Sequence, residues 1–151
     1  MNYVIIGNGT AAAGVIEGIR VVDKESPITL VSAENYPVYG RPLISYLLLG
    51  KTTEAKMLAY RPADFYEKNG VTALLGRIAE KIEGKTVLLD NGEHLPFDKL
   101  CFCTGSRPFV PPMEGLELVQ DKTSFMTLDD AKYLDAMLGE EKSKRVLIIG
   151  A

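Results

Sequence analysis

Near the start of the chain, Gly7-Asn8-Gly9-Thr10-Ala11-Ala12 has the spacing G-x-G-x-x-A. Those residue types suit one task, holding a dinucleotide by its pyrophosphate. Gly7 permits a tight turn from strand to helix, and Gly9, lacking a Cβ, lets a phosphate approach the backbone. Ala12 is small enough for the helix to lie close on the strand. Backbone N–H groups at Thr10 and Ala11 would then present the positive end of a helix dipole to the phosphates. An acid completes the pattern. Glu34 lies 25 positions beyond Gly9, near the distance at which a carboxylate binds ribose hydroxyls. It would repel a 2′-phosphate, which disfavours NADP here. The pattern alone does not separate FAD from NAD.

A glycine loop is informative only when the right elements flank it. Tyr3–Ile6 reads as a short buried strand, and Thr10–Val22 as a helix with Val15, Ile16, Ile19 and Val22 at helical spacing. Ile28–Val31 is a second apolar strand. This is a β-α-β unit, which requires a parallel pair and a right-handed crossover. A short helix is expected over Leu43–Leu49, closed by Gly50, and Pro62 can open another that ends at Asn69-Gly70.

The pattern then shortens. Val71–Leu75, Ile78–Ile82 and Thr86–Leu89 are strand candidates, with Asp90-Asn91-Gly92-Glu93 as a two-residue hairpin turn. Leu100–Cys103 reads as a buried strand ending at Thr104-Gly105. Thr127 can cap a helix over about 128–138, with Asp129 and Asp130 in its first turn and Gly139 past its end. Val146–Ile149 is one more apolar strand. The predicted fold is α/β: a Rossmann-like parallel sheet with a small antiparallel insert at about 76–97.

The cysteines narrow the chemistry. Cys101 and Cys103 are the only two, at alternate strand positions roughly 7 Å apart. That is at or beyond the reach of an undistorted disulfide, so both read as small buried hydrophobes. His94, the lone histidine, falls in the polar hairpin, and no metal site is evident. A net charge of -3 and a pI of about 5.2 give no basic footprint for nucleic acid. No apolar run approaches the length needed to span a membrane. With no signal-peptide pattern at its start, the chain is expected to be cytoplasmic.

Three motifs together carry a resemblance. They are the glycine loop, the segment Glu34-Asn35-Tyr36-Pro37-Val38-Tyr39-Gly40-Arg41-Pro42-Leu43-Ile44-Ser45, and Asp98-Lys99-Leu100-Cys101-Phe102-Cys103-Thr104-Gly105-Ser106-Arg107-Pro108. In this order they resemble the FAD-binding part of the pyridine nucleotide-disulfide oxidoreductase superfamily, in its rubredoxin, ferredoxin and nitrite reductase-like branch. The resemblance implies FAD on Gly7, Gly9, Thr10, Ala11 and Ala12, with Glu34 on the adenosine ribose. Arg41 and Pro42 would belong to the flavin loop, Arg41 beside the pyrophosphate or flavin. The backbone of Ala79 would meet the adenine edge, and Thr104 and Gly105 would pass close to the cofactor with Arg107 nearby. A solvated loop arginine is the competing reading for Arg41 and Arg107.

Two features depart from the wider superfamily. Tyr46 stands where many relatives carry lysine, and is expected to pack on its helix face. Pro42 falls about where the single-cysteine branches have their thiol, and no cysteine precedes position 101, so a thiol relay through this loop is not available.

The run Arg145–Ala151 echoes Asn2–Asn8 at a spacing of 143 residues, and by the resemblance opens an NAD(P)H domain. The expected organisation is an incomplete FAD-binding domain over 1–110, a connector over 111–144, and the first strand of a truncated NAD(P)H-binding domain over 145–151. Such a portion lacks the hydride-donor site and is expected to be silent by itself. The implied parent is an NAD(P)H-dependent FAD enzyme passing electrons to a rubredoxin- or ferredoxin-like protein or a nitrite reductase-type module, with a homodimer among the implied partnerships. An FAD-dependent NADH oxidase and a non-catalytic dinucleotide-sensing module are the alternatives.

Overall fold

A computed structural model describes residues 1–139 and 145–150. The chain forms two compact units. Met1–Gly40 with Thr53–Ser106 make the first, and Arg41–Thr52 with the chain from Arg107 onward make the second.

In the first unit, β1 (Tyr3–Ile6) leads through the glycine loop into α1 (Thr10–Val22), and β2 (Ile28–Ser32) follows. These elements lie where their apolar spacing predicts them. Two short helices come next, α3 (Glu54–Leu58) and α4 (Phe65–Lys68), separated from β2 by a short helix of the second unit, α2 (Ile44–Leu48). The sequence reading missed α3, although Thr53 caps it by accepting from the Lys56 N–H. With only five residues, α3 is too short to show a helical repeat.

β3 (Val71–Leu75) and β7 (Lys99–Phe102) complete a four-stranded parallel sheet in the order β3-β2-β1-β7. Between them, β4 (Ala79–Glu83), β5 (Thr86–Leu89) and β6 (His94–Pro96) form the expected antiparallel insert.

Alternation along the strands decides what covers each face of the parallel sheet. Ile5, Ile28 and Leu30 point to one side and pack with Ala12, Ala13, Ile16, Val38 and Phe65. Val4 and Val31 point to the other and pack with Val87 and Leu89 of the small sheet. Burying both faces explains why β1 and β2 read as continuous apolar runs. Arg20 ties the end of α1 to its surroundings. Its guanidinium donates to the carbonyls of Asp23, Ser26 and Asn69 at 2.9, 2.8 and 2.7 Å.

Several expectations need correction. The β5–β6 turn is a three-residue loop: the Gly92 N–H donates to Leu89, the Leu89 N–H donates to Glu93, and Gly92 takes φ +82°. A type I turn followed by a left-handed glycine has that form. β7 is not a buried strand. It lies at the sheet edge, and Phe102 is 61% exposed. Last, 146–149 forms no strand and its apolar side chains are exposed, because among the described residues no strand pairs with it and a lone strand leaves its backbone unsatisfied.

In the second unit, α2 is preceded by a 3-10 turn over Arg41–Leu43 and packs against α5 (Leu128–Gly139). α5 begins as expected. Its Asp130 N–H donates to the Thr127 hydroxyl at 3.0 Å, while the Asp130 carboxylate accepts from the N–H groups of Thr127 and Met126, a reciprocal capping box. Gly139 is the last helical residue rather than the one beyond it.

Candidate functional site

Backbone hydrogen bonds anchor both ends of the first turn of the glycine loop. The Gly7 N–H donates to the Val31 carbonyl at 2.8 Å, and the Cys103 N–H donates to Ile6 at 2.7 Å. Gly7 adopts φ +103°, and a Cβ there would lie 2.2 Å from the Cys103 carbonyl oxygen and 2.8 Å from the Thr104 nitrogen. Gly7 therefore serves the turn, as its spacing predicts, and also lets the end of β7 approach. That second role brings Thr104 beside the loop.

Gly9 is different. Its φ is −91°, which any residue adopts, and nothing lies within 4 Å of where its Cβ would be. It precedes α1, which has no acidic residue in its first turn and no side-chain cap. Open space, a positive dipole end and uncapped N–H groups are what a pyrophosphate requires. Thr10 and Ala11 are exposed at this end, whereas Ala12 is fully buried against the sheet. The residues present fit a dinucleotide phosphate.

Glu34 stands two residues past β2. Its carbonyl accepts from the Ser32 hydroxyl at 2.9 Å, and its carboxylate Oε2 accepts from the Tyr39 hydroxyl at 2.6 Å. The Arg77 N–H donates to the Ser32 carbonyl at 2.8 Å, which ties the lead-in to β4, and with it Ala79, to the end of β2. Ala79 opens β4 opposite Leu89, just before a bulge in the register. Thr104 and Gly105 are exposed beyond β7, Gly105 at φ +64°.

Arg41, Pro42 and Arg107 belong to the second unit. Pro42 and Arg107 are exposed. Arg41 is partly buried and donates to the Met126 carbonyl at 2.6 Å, so it is not a solvated loop arginine. Tyr46 does not pack on its helix face as expected. It is 49% exposed with the Lys51 ammonium 5.9 Å from its ring centroid, because α2 turns Ile44, 7% exposed, inward instead.

The two thiols approach to 3.8 Å, nearer than strand spacing suggests, and are not joined. Burial, reinforced by the Cys101 thiol, pushes Cys103 up to about 11. It is a neutral thiol at pH 7. Among the described residues, no group of three or more His, Cys, Asp or Glu could hold a metal ion, and no helix is long and apolar enough to cross a membrane.

Sequence reasoning overlooked four residues at this site: Asn8, Ser32, Tyr39 and Tyr66. Asn8 occupies the variable position between the glycines, yet its amide accepts from the Tyr66 hydroxyl at 2.9 Å and donates to the Tyr36 carbonyl at 3.0 Å. Nothing local announces a bond across 58 residues.

Similarity to known proteins agrees with the geometry. The chain is 36% identical to the NAD(P)H nitrite reductase of Bacillus subtilis over 97% of its own length and 18% of that protein's. It is 32% identical to the ferredoxin–NAD(+) reductase component of the anthranilate 1,2-dioxygenase system of Burkholderia cepacia, over 98% of the chain and 36% of the relative. Among solved structures, NADH:rubredoxin oxidoreductase from Clostridium acetobutylicum superposes with a TM-score of 0.75 at 25% identity, covering 89% of this chain and 35% of that one. The chain thus spans less than two fifths of the length of each of these proteins. The family model described as pyridine nucleotide-disulphide oxidoreductase matches residues 1–151, and the chain belongs to that family.

Proposed function

We propose that the first β-α-β unit of this chain binds FAD. We further propose that it works within an NAD(P)H-dependent flavoprotein oxidoreductase that passes electrons to a small redox protein or a reductase module. Members of the family bind FAD and NAD(P)H, and the FAD-binding Rossmann region is the part present here. The observation that carries the reading is the open space at Gly9 in front of the uncapped end of α1, with Glu34 held at the end of β2.

When bound, FAD supplies hydride acceptance and the release of electrons one at a time. The protein supplies binding and orientation. The N–H groups after Gly9 take the pyrophosphate, Glu34 takes the ribose hydroxyls, and the backbone at Ala79, Thr104 and Gly105 borders the cofactor. Arg41, Pro42 and Arg107, which the resemblance alone associates with the flavin, belong to the second unit. No acid, base or nucleophile of this chain is assigned. Cys103 is protonated at neutral pH, and no cysteine precedes Cys101, so dithiol chemistry in the flavin loop has no residues to perform it. The relatives named above are reductases of nitrite, ferredoxin and rubredoxin, which supports a protein acceptor or a reductase module over oxygen.

The visible absorption spectrum of the purified chain, with and without added FAD, tests the assignment. Flavin bands should travel with the protein and be lost in Gly9→Val and in Glu34→Ala. Retention of flavin by both variants would place the cofactor elsewhere.

A further inference from the structure

The acid of the proposed site comes from a stretch with no regular secondary structure. Residues 33–40 form neither helix nor strand, yet Val38 and Tyr39 are only 2% and 5% exposed. An irregular segment is held this firmly only if its polar groups find fixed partners. Two tyrosine hydroxyls provide them. Tyr66, on α4, accepts from the Val38 N–H at 2.9 Å and donates to Asn8 Oδ1 at 2.9 Å. Asn8 closes the link by donating to the Tyr36 carbonyl at 3.0 Å. Tyr39 donates to Glu34 Oε2 at 2.6 Å. The rings are braced by edge contacts, Tyr36 on Tyr39 and Phe65 on Tyr66.

From this network we infer that Tyr39 and Tyr66 are positioning residues for the adenosine end of the dinucleotide. Tyr66 fixes the distance between the glycine loop and the acid-bearing segment, and Tyr39 fixes the direction of the Glu34 carboxylate. This rests on the nucleotide site proposed above and adds a specificity determinant to it. A carboxylate held in one direction accepts from a ribose 2′-hydroxyl and repels a 2′-phosphate. One free to swing toward solvent does neither well. The choice between the two riboses is therefore set partly by a phenol hydroxyl that acts through Glu34.

Calorimetric titration of the chain with FAD, with ADP and with the 2′-phosphorylated form of ADP tests this. Wild type should bind FAD and ADP and disfavour the 2′-phosphate. Tyr39→Phe, which keeps the ring, should reduce the ADP to 2′-phospho-ADP preference about tenfold, the scale of one lost charge-assisted hydrogen bond. A purely structural role would weaken both ligands equally and leave that ratio alone. Tyr66→Phe should weaken FAD and ADP together, also about tenfold. Asn8→Ala removes the shared Tyr66–Asn8 bond from the other side, together with the Asn8–Tyr36 bond, so the losses in the double variant should be less than additive. An unchanged ratio in Tyr39→Phe, or additive losses in the double variant, would overturn the inference while leaving the site in place. Failure of wild type to bind either FAD or ADP would instead overturn the site, and the inference with it.

Discussion

Gly7 and Gly9 belong to one motif, but the structure gives them different tasks, and exchanging each for alanine separates those tasks. At Gly7 the new methyl would sit 2.2 Å from the Cys103 carbonyl oxygen and 2.5 Å from its carbon. Both are backbone atoms, so the end of β7 must retreat by roughly 1 Å. Holding a non-glycine residue at φ +103° costs about 1–2 kcal/mol. Overpacking adds about 1–3 kcal/mol, and straining the Cys103–Ile6 hydrogen bond about 1 kcal/mol more. The total is about 3–6 kcal/mol, a large share of the roughly 5–15 kcal/mol that holds an ordinary domain together. At about 2–4 °C per kcal/mol for a chain of this size, Gly7→Ala should lower the melting temperature by at least about 6 °C. At Gly9 the methyl enters open space at an ordinary φ. A weaker helix cap and a stiffer unfolded chain nearly offset each other, so Gly9→Ala should melt within about 2 °C of wild type. It should nevertheless bind FAD at least tenfold less tightly, a change of about 1.4 kcal/mol, because the methyl takes the space assigned to the phosphates. Circular dichroism melts and flavin titrations of the two variants make the comparison. A Gly7→Ala chain that melts with wild type, or a Gly9→Ala chain that unfolds early, would refute the division of roles.

Two further predictions follow from titratable groups. Cys103 is pushed up to about 11 by burial and by the neighbouring Cys101 thiol. In a Cys101→Ser chain its alkylation by iodoacetamide should therefore accelerate well beyond pH 9, and a plateau near the ordinary thiol value of about 8.5 would contradict the burial. The same raised value favours the neutral thiol in the folded state, so its contribution to stability is intact below about pH 8.5 and lost as pH rises toward about 11. Asp23 shows the opposite sign. Its carboxylate is held well below the ordinary range by the hydroxyl and N–H of Ser26, helped by the Glu25 N–H and the Tyr3 hydroxyl. The stability it contributes is present above about pH 4 and lost as pH falls below it. Urea denaturation of Asp23→Asn, which keeps an acceptor for the Glu25 and Ser26 N–H groups, should show a shallower loss on acidification than wild type. Parallel acid profiles would count against this assignment.

The amino-acid sequence by itself determined whatever depends on neighbours along the chain. The β-α-β unit, the glycine loop, the acid past β2, the Thr127 cap and the antiparallel insert are all written in short-range spacing, and α1 begins and ends where its apolar repeat does. Local rules fell short where a segment's environment comes from far away. Leu100–Cys103 has the residues of a buried strand, but only the strand order places β7 at the edge with Phe102 in solvent. Val146–Ile149 has strand composition, yet strand formation depends on a partner that composition cannot supply. The site divides the same way. Gly7 was legible as a turn residue, but its contact with Cys103 crosses nearly the whole unit. No local pattern singles out Tyr66, whose hydroxyl reaches Asn8 and Val38 only through the fold. Motifs record what a backbone must do locally. Which side chains hold that backbone in place is decided by the long-range hydrogen bonds and packing that only the tertiary structure forms.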